Sequence, residues 1–169
     1  MSNIIDTRDL YKRQQELQDL KYAVGNAEEA LQEAQDDLAA HSSEISPDDS
    51  EEEQEDHAEK TEELEEAVSD AEEALADAQN DFGPDEQTEL EELNDLENEV
   101  GGEWQHGETM IPEDKFEDYA RQFAEDIGAL KGVGDKWPCT CIDWEQAAKE
   151  LAMDYTTVTY QGTEYLVRA

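Results

Sequence analysis

The chain has 169 residues, with 49 Asp and Glu against 11 Lys and Arg, a formal net charge of −38. That length suits one ordinary domain or two small ones, while the charge is several-fold beyond the magnitude of about 2–8 typical of a small soluble domain. Such a field repels nucleic acid and anionic membranes and attracts basic proteins, so direct nucleic-acid binding and membrane binding are not expected.

Apolar residues make up 36%, below the globular norm of about 45–50%. One large core is therefore not expected, and long helices with narrow apolar seams fit better. No stretch approaches the roughly 20 apolar residues that span a bilayer. The first nine residues lack the apolar core of a secretory leader. The cysteines are Cys139 and Cys141 alone, so a reduced, cytosolic setting is the expectation.

The charge is unevenly placed. Residues 1–100 hold 35 acids and 5 bases, and residues 101–169 hold 14 acids and 6 bases. From 22 to 100 the single base is Lys60. A boundary is expected at Gly101-Gly102, where a turn-prone pair ends the acidic run. The expected organisation is an acidic coiled-coil region over 1–100, a linker over 101–110 and a small α+β module over 111–169.

Leu10, Leu17, Leu20, Val24, Ala27, Leu31, Ala34 and Leu38 follow alternating steps of three and four, with Arg13 the one polar position. That is the seam of a coiled coil. Leu64, Val68, Ala71, Leu75, Ala78 and Phe82 repeat it. Each seam is only about two residues in seven wide, so each helix needs a partner. Residues 26–38 and 70–82 also match each other at an offset of 44, by duplication or by convergence of Ala, Glu and Leu in helices of this kind. Pro47 and the serines around it break the pattern, and Ser46 or Ser50 can cap the second helix. So short a connection folds the helices antiparallel about residue 48. The basic end of the first (Arg8, Lys12, Arg13, Lys21) then faces the acidic end of the second (Asp70, Glu73, Asp77, Asp81, Asp85). A third helix is expected from Pro84 to Val100, either closing the hairpin into a three-helix arrangement or largely disordered.

Beyond it, Ile111–Ile127 reads as an amphipathic helix with Phe116, Tyr119, Ala120, Phe123 and Ile127 on one face and Pro112 in its first turn. A loop with Gly132, Gly134 and Pro138 follows. Asp143 can cap a helix from about Trp144 to Met153, with Ala147, Ala148 and Leu151 inward. Residues 155–160 and 163–168 are rich in β-formers and flank Gln161-Gly162, a hairpin signature. An isolated hairpin is marginal, so it must pack on the helices. The fold class expected is mainly α, an N-terminal antiparallel coiled-coil hairpin plus a small C-terminal α+β module with a terminal β-hairpin.

No catalytic, metal or cofactor set stands out. Cys139-Thr-Cys141 is one residue short of a Cys-x-x-Cys knuckle and lacks a second pair, while a structural zinc needs four ligands. His41, His57 and His106 read as isolated in loops or on polar faces. No EF-hand spacing or glycine-rich loop after a strand occurs. No carboxyl is set apart for general acid work, and an enzyme is not expected.

The acids invite comparison with duplex DNA, which carries about one negative charge per 1.7 Å of axis. A hairpin over 22–82 has 23 acids and one base, or about one net charge per 2.2 Å at a rise of about 1.5 Å per residue. A Lys- and Arg-lined groove would accept such a rod by the counterion release it uses for DNA. Acidic helical runs also serve simply as solvated faces. Ordinary surface helices, however, interleave Lys with Glu at i,i+4, and here only Lys60 does so.

Tyr119–Leu130, Ile142–Tyr155 and Gly162–Arg168 together resemble the C-terminal end of the ArdA antirestriction proteins. Those carry an acidic helix ending in a Gly-Leu-like turn, an Ile-Asp-Trp-Glu-like stretch and a closing aromatic strand. The resemblance covers about a third of the chain. Residues 1–100 depart from the family's α+β N-terminal region. The resemblance implies a DNA mimic of a phage or mobile element that blocks type I restriction enzymes in the host cytoplasm.

Three functions are therefore carried forward. The first is an acidic inhibitor that evades host defence by occupying the basic DNA-binding surface of a restriction or other nucleic-acid-binding protein. Its expected carriers are Glu51, Glu52, Glu53, Glu55, Asp56, Glu59, Glu62, Glu63, Glu65, Glu66, Asp70, Glu72, Glu73, Asp77, Glu91, Glu92 and Asp95. The second is a phage or viral scaffolding coiled coil, and the third a chaperone for basic proteins. No cofactor is expected, and a homodimer is left open.

Overall fold

The computed structural model describes residues 3–43, 50–101, 104–130, 136, 137 and 139–168. In chain order these form β1 (Ile5–Asp6), α1 (Thr7–Ser42), α2 (Glu51–Asp81), α3 (Pro84–Val100), β2 (Thr109–Pro112), α4 (Phe116–Asp126), α5 (Trp144–Leu151), β3 (Thr156–Tyr160) and β4 (Thr163–Val167). The chain is mainly helical, with two long N-terminal helices packed together and a small antiparallel sheet ending in a β-hairpin. The expectations placed on Ser46, Pro47, Gly102, Gly132, Gly134 and Pro138 lie outside the described residues.

The chain divides into two compact units, and neither edge follows the composition boundary at Gly101. One unit is the continuous stretch Gln15–Leu90; the other joins Met1–Gln14 to Glu91–Ala169. The division therefore falls inside α1 and inside α3. Composition marks where acids thin out, whereas packing follows where apolar side chains and strands meet.

In the Gln15–Leu90 unit the seam is as narrow as its spacing implies. Along α1 the positions after Leu17 that are not fully exposed are Gln18 and one stripe, Leu20, Val24, Ala27, Leu31, Ala34, Leu38 and His41. Along α2 the matching stripe is His57, Thr61, Leu64, Val68, Ala71, Leu75 and Ala78, each half-buried, and no residue of α2 is fully buried. Among the described residues of this unit the buried side chains are Leu17, Phe82 and Leu90.

Ser50 caps α2. Its Oγ accepts from the Glu53 backbone N–H at 3.4 Å, and its own N–H donates to Glu53 Oε2 at 2.8 Å, a reciprocal capping box. Ser50→Ala should destabilise the first turn of α2 by about 1 kcal/mol, read as faster amide exchange at Glu53 and Gln54.

The second unit is a sheet in the order β1-β2-β4-β3, antiparallel throughout. The hairpin expectation holds, with Gln161 at φ 48° and Gly162 at φ 72°, the positive pair that a two-residue I′ turn demands. Two strands were not expected. Thr109–Pro112 is β2, not the start of a helix. Pro112 pairs with Tyr165 of β4, and β1 pairs only with Thr109 and Met110. The N–H that proline lacks therefore falls beyond the reach of β1. After a short 3₁₀ turn, α4 begins at Phe116.

Strand alternation gives the sheet two covered faces. Ile111 and Leu166 pack with Phe116 and Ala120 of α4 and Ala148 of α5. Phe116 meets Tyr155 edge-on at 5.0 Å, and the Tyr119 and Tyr155 hydroxyls lie 3.1 Å apart. Burial, followed by that hydrogen bond, pushes the Tyr155 phenol well above its ordinary range. Ile127, expected inward, is 63% exposed because α4 ends at Asp126. Asp143 caps α5 as expected, accepting from the Gln146 N–H at 3.0 Å.

The opposite face carries Met110, Val158, Tyr165 and Val167, all buried, and the same unit buries Leu10, Leu93, Leu96, Val100 and Trp104. A polar network ties this layer together. Trp104 Nε1 donates to Gln14 Oε1 at 3.1 Å. Gln14 Nε2 donates to Asn94 at 2.9 Å and to Glu97 at 2.7 Å. Thr7 Oγ1 donates to the Trp104 carbonyl and accepts from the Glu108 N–H. Thr7 and Gln14 thus hold the buried polar positions of α1, while Arg13 is only half-buried. At Gly101 (φ 87°) the N–H bonds the Glu97 carbonyl at 2.8 Å and closes α3.

Candidate acidic interaction surface

Every acid singled out from the sequence is exposed. Glu51 through Asp77 of that set stand on α2, and Glu91, Glu92 and Asp95 on α3. The α2 carriers belong to the Gln15–Leu90 unit and the α3 carriers to the other. On α2 the 31 residues extend about 46 Å at about 1.5 Å each. Because the seam is one stripe wide, the rest of the circumference is open to carboxylates.

Two of these acids have local partners. Ser50 holds the Glu53 carboxyl below the usual range through the capping hydrogen bonds. Glu63 is lowered by Lys60, whose Nζ lies 2.8 Å away. Both contacts are exposed, so the charges remain available to a partner at small cost.

Self-repulsion on such a helix is relieved by screening, since the Debye length falls from about 30 Å at 0.01 M salt to about 3 Å at 1 M. The thermal midpoint should therefore rise by about 5 °C or more between 10 mM and 0.5 M NaCl, followed by circular dichroism at 222 nm. A flat or falling midpoint would show that the acids do not oppose folding.

Two arrangements were not legible in the sequence. His41 and His57, which read as isolated, stack with ring centroids 4.0 Å apart and planes 16° off parallel. Each Nε2 reaches the other residue's backbone carbonyl, at 3.1 and 2.9 Å. Thr61 Oγ1 donates to the His57 carbonyl at 2.8 Å. The pair continues the seam by one step and fixes the antiparallel register, centred on residue 49 by the mean of the two positions, which sets Lys21 level with Asp77. Polar rings at seam spacing looked like surface because no apolar residue marked the stripe there.

The second is an open cleft of about 260 Å³ between α3 and the β3–β4 turn, lined by Glu92, Asp95, Leu96, Glu99, Thr159, Tyr160, Gln161 and Gly162. The acids recur at helical spacing on one face of α3. Only the fold brings that face to the hairpin, some sixty residues further along the chain by the numbering.

Elsewhere, Cys139 is half-buried and Cys141 exposed, both as free thiols, and His106 is exposed. Among the described residues, no three His, Cys, Asp or Glu side chains converge as a metal set would require. No helix of the described residues is long and apolar enough to cross a membrane. No family model, characterised protein or solved structure matches the chain.

Proposed function

We propose that the protein is an acidic DNA mimic that occupies the basic DNA-binding surface of a host defence enzyme or other nucleic-acid-binding protein. The observation that supports it most is α2. It is a helix with no buried residue, exposed carboxylates along its whole length and Lys60 as its single base. Like-charged neighbours at i,i+4 destabilise a helix. A sequence that keeps them, without interleaved lysines, retains a field that a Lys- and Arg-lined groove can use in place of phosphates. The resemblance of Tyr119–Leu130, Ile142–Tyr155 and Gly162–Arg168 to the ArdA antirestriction proteins supports the same reading, with the cytoplasm of a bacterial host as the site of action.

The test is capture from bacterial lysate with tagged protein, eluted first with duplex DNA and then with salt. Release of a restriction enzyme, nuclease or other DNA-binding protein by DNA supports the proposal. Retention of virion proteins alone, at high salt, overturns it. That outcome would favour the second reading, a scaffolding coiled coil, which the long two-helix seam also supports and which defined self-association would reveal. No catalytic role is part of either reading.

A further inference from the structure

The sheet has two edges, and they are built differently. β1 is two residues long and runs directly into α1, so it offers almost no backbone to a neighbour. β3 is five residues long, and among the described residues β4 is the only strand paired with it. The I′ turn closes on the pair Tyr160–Thr163, so Tyr160, Val158 and Thr156 face β4 through their hydrogen bonds. Thr157 and Thr159 then direct N–H and C=O groups away from the hairpin.

Edges of this kind are usually blunted by proline, lysine, a bulge or an inward charge. Thr156-Thr-Val-Thr-Tyr160 has none of these, and both Thr157 and Thr159 are exposed. At the end of this edge lies the cleft in which Glu92, Asp95 and Glu99 stand beside Thr159 and Tyr160. A strand laid along β3 places alternate side chains level with Val158 and Tyr160, and Tyr160 itself lines this acidic cleft. The other side chains fall level with Thr157 and Thr159.

We infer that the β3 edge is a docking site for an extended, β-prone segment of a partner protein bearing Lys or Arg at alternate positions. Main-chain hydrogen bonds to Thr157 and Thr159 supply the pairing, and the α3 carboxylates select the basic side chains. Charge decides against a second copy of this chain as the occupant, since two such edges would bring together two molecules of net charge −38. The inference does not rest on the α2 surface or on DNA mimicry. It gives the C-terminal unit a binding role of its own.

The test uses the full chain and a peptide of about ten residues alternating lysine with valine or threonine, a length that covers one edge strand. Amide exchange and chemical shifts are followed at about 0.15 M salt, where long-range attraction to exposed acids is screened. The Thr157 and Thr159 amides should shift and become protected. Two N-methylated isomers of the peptide separate pairing from mere attraction, because only one set of alternate amides faces β3. One isomer should lose affinity by about tenfold or more, as expected for lost main-chain hydrogen bonds, and the other should keep it. Glu92→Gln, Asp95→Asn and Glu99→Gln together should also weaken the parent peptide by about tenfold.

Lysine replacements at Glu62, Glu63, Glu65 and Glu66 should leave these effects in place, so failure of the α2 proposal and failure of this one are distinguishable. Equal binding of the two isomers, or unmoved Thr157 and Thr159 amides, would overturn the inference. Protection of those amides in a dimer without peptide would overturn it too, assigning the edge to a second copy.

Discussion

Lysine at Glu62, Glu63, Glu65 and Glu66 should abolish capture of the DNA-binding partner while leaving helix content unchanged or slightly higher. All four positions are exposed on α2, clear of the half-buried stripe of Thr61, Leu64 and Val68. Glu and Lys have similar helix propensity, so the backbone tolerates the change. The reversals turn the like-charge i,i+4 pairs Glu59–Glu63 and Glu66–Asp70 into opposite-charge ones, while positions 62 and 66 stay alike. The one local loss is the exposed Lys60–Glu63 pair, worth little at a surface.

Against a basic groove the same change sets like charges face to face. Affinity should fall by about 100-fold or more, since such juxtapositions cost several kcal/mol. The plot of log affinity against log salt should become shallower by about one unit for each acid that had been engaged. Calorimetric or fluorescence titration over a salt series measures both. Unchanged affinity with unchanged helicity would remove α2 from the interface.

The second large effect concerns Trp104. It is 1% exposed, and its indole N–H bonds Gln14, which in turn bonds Asn94 and Glu97. Trp104→Ala should destabilise by about 3–5 kcal/mol through the cavity alone. Leaving Gln14 Oε1 buried without its donor adds about 1–3 kcal/mol. Against a total stability of about 5–15 kcal/mol for an ordinary domain, the thermal midpoint should drop by about 10 °C or more, with loss of protection at Met110 and Val167. Trp104→Phe keeps most of the volume and loses only the donor, so its effect should be a minority of that. A midpoint for Trp104→Ala within two degrees or so of the parent would mean that the network does not hold this unit together, given about 2–4 °C per kcal/mol.

Local signals carried the helical half of this fold. Steps of three and four at Leu17, Leu20, Val24 and onward became the half-buried stripe, and Ser50 became the cap. Gln161-Gly162 became the I′ turn because few residue pairs accept two positive φ values. What stayed hidden depended on distant partners. Ile5-Asp6 is too short for any pattern and is a strand only because Met110 and Thr109 lie beside it. Ile111-Pro112 carries a helix-start signal that pairing with Leu166 and Tyr165 overrides. Gln14 and the two stacked histidines are polar residues at seam positions, where an apolar count passes over them. The exposed acids were readable one by one, but the cleft beside the hairpin was not, because residues 92–99 and 159–162 become neighbours only through the sheet.

The pairing of β1 with β2 sets a constraint on the order of assembly. Ile5 and Met110 are separated by 105 positions in the chain, and only two residue pairs join their strands. Closing a flexible loop of that length carries an entropy penalty that grows as about (3/2)RT ln n. Two residue pairs and the few hydrogen bonds of Thr7 and Gln14 to residues 94–108 meet that penalty poorly while everything between them is coil. The helices of 15–90 form from contacts close along the chain and take that length out of the loop. The two-residue strand β1 thus waits on the acidic hairpin, and a lesion in the hairpin's seam would be felt as slow or incomplete closure of the sheet.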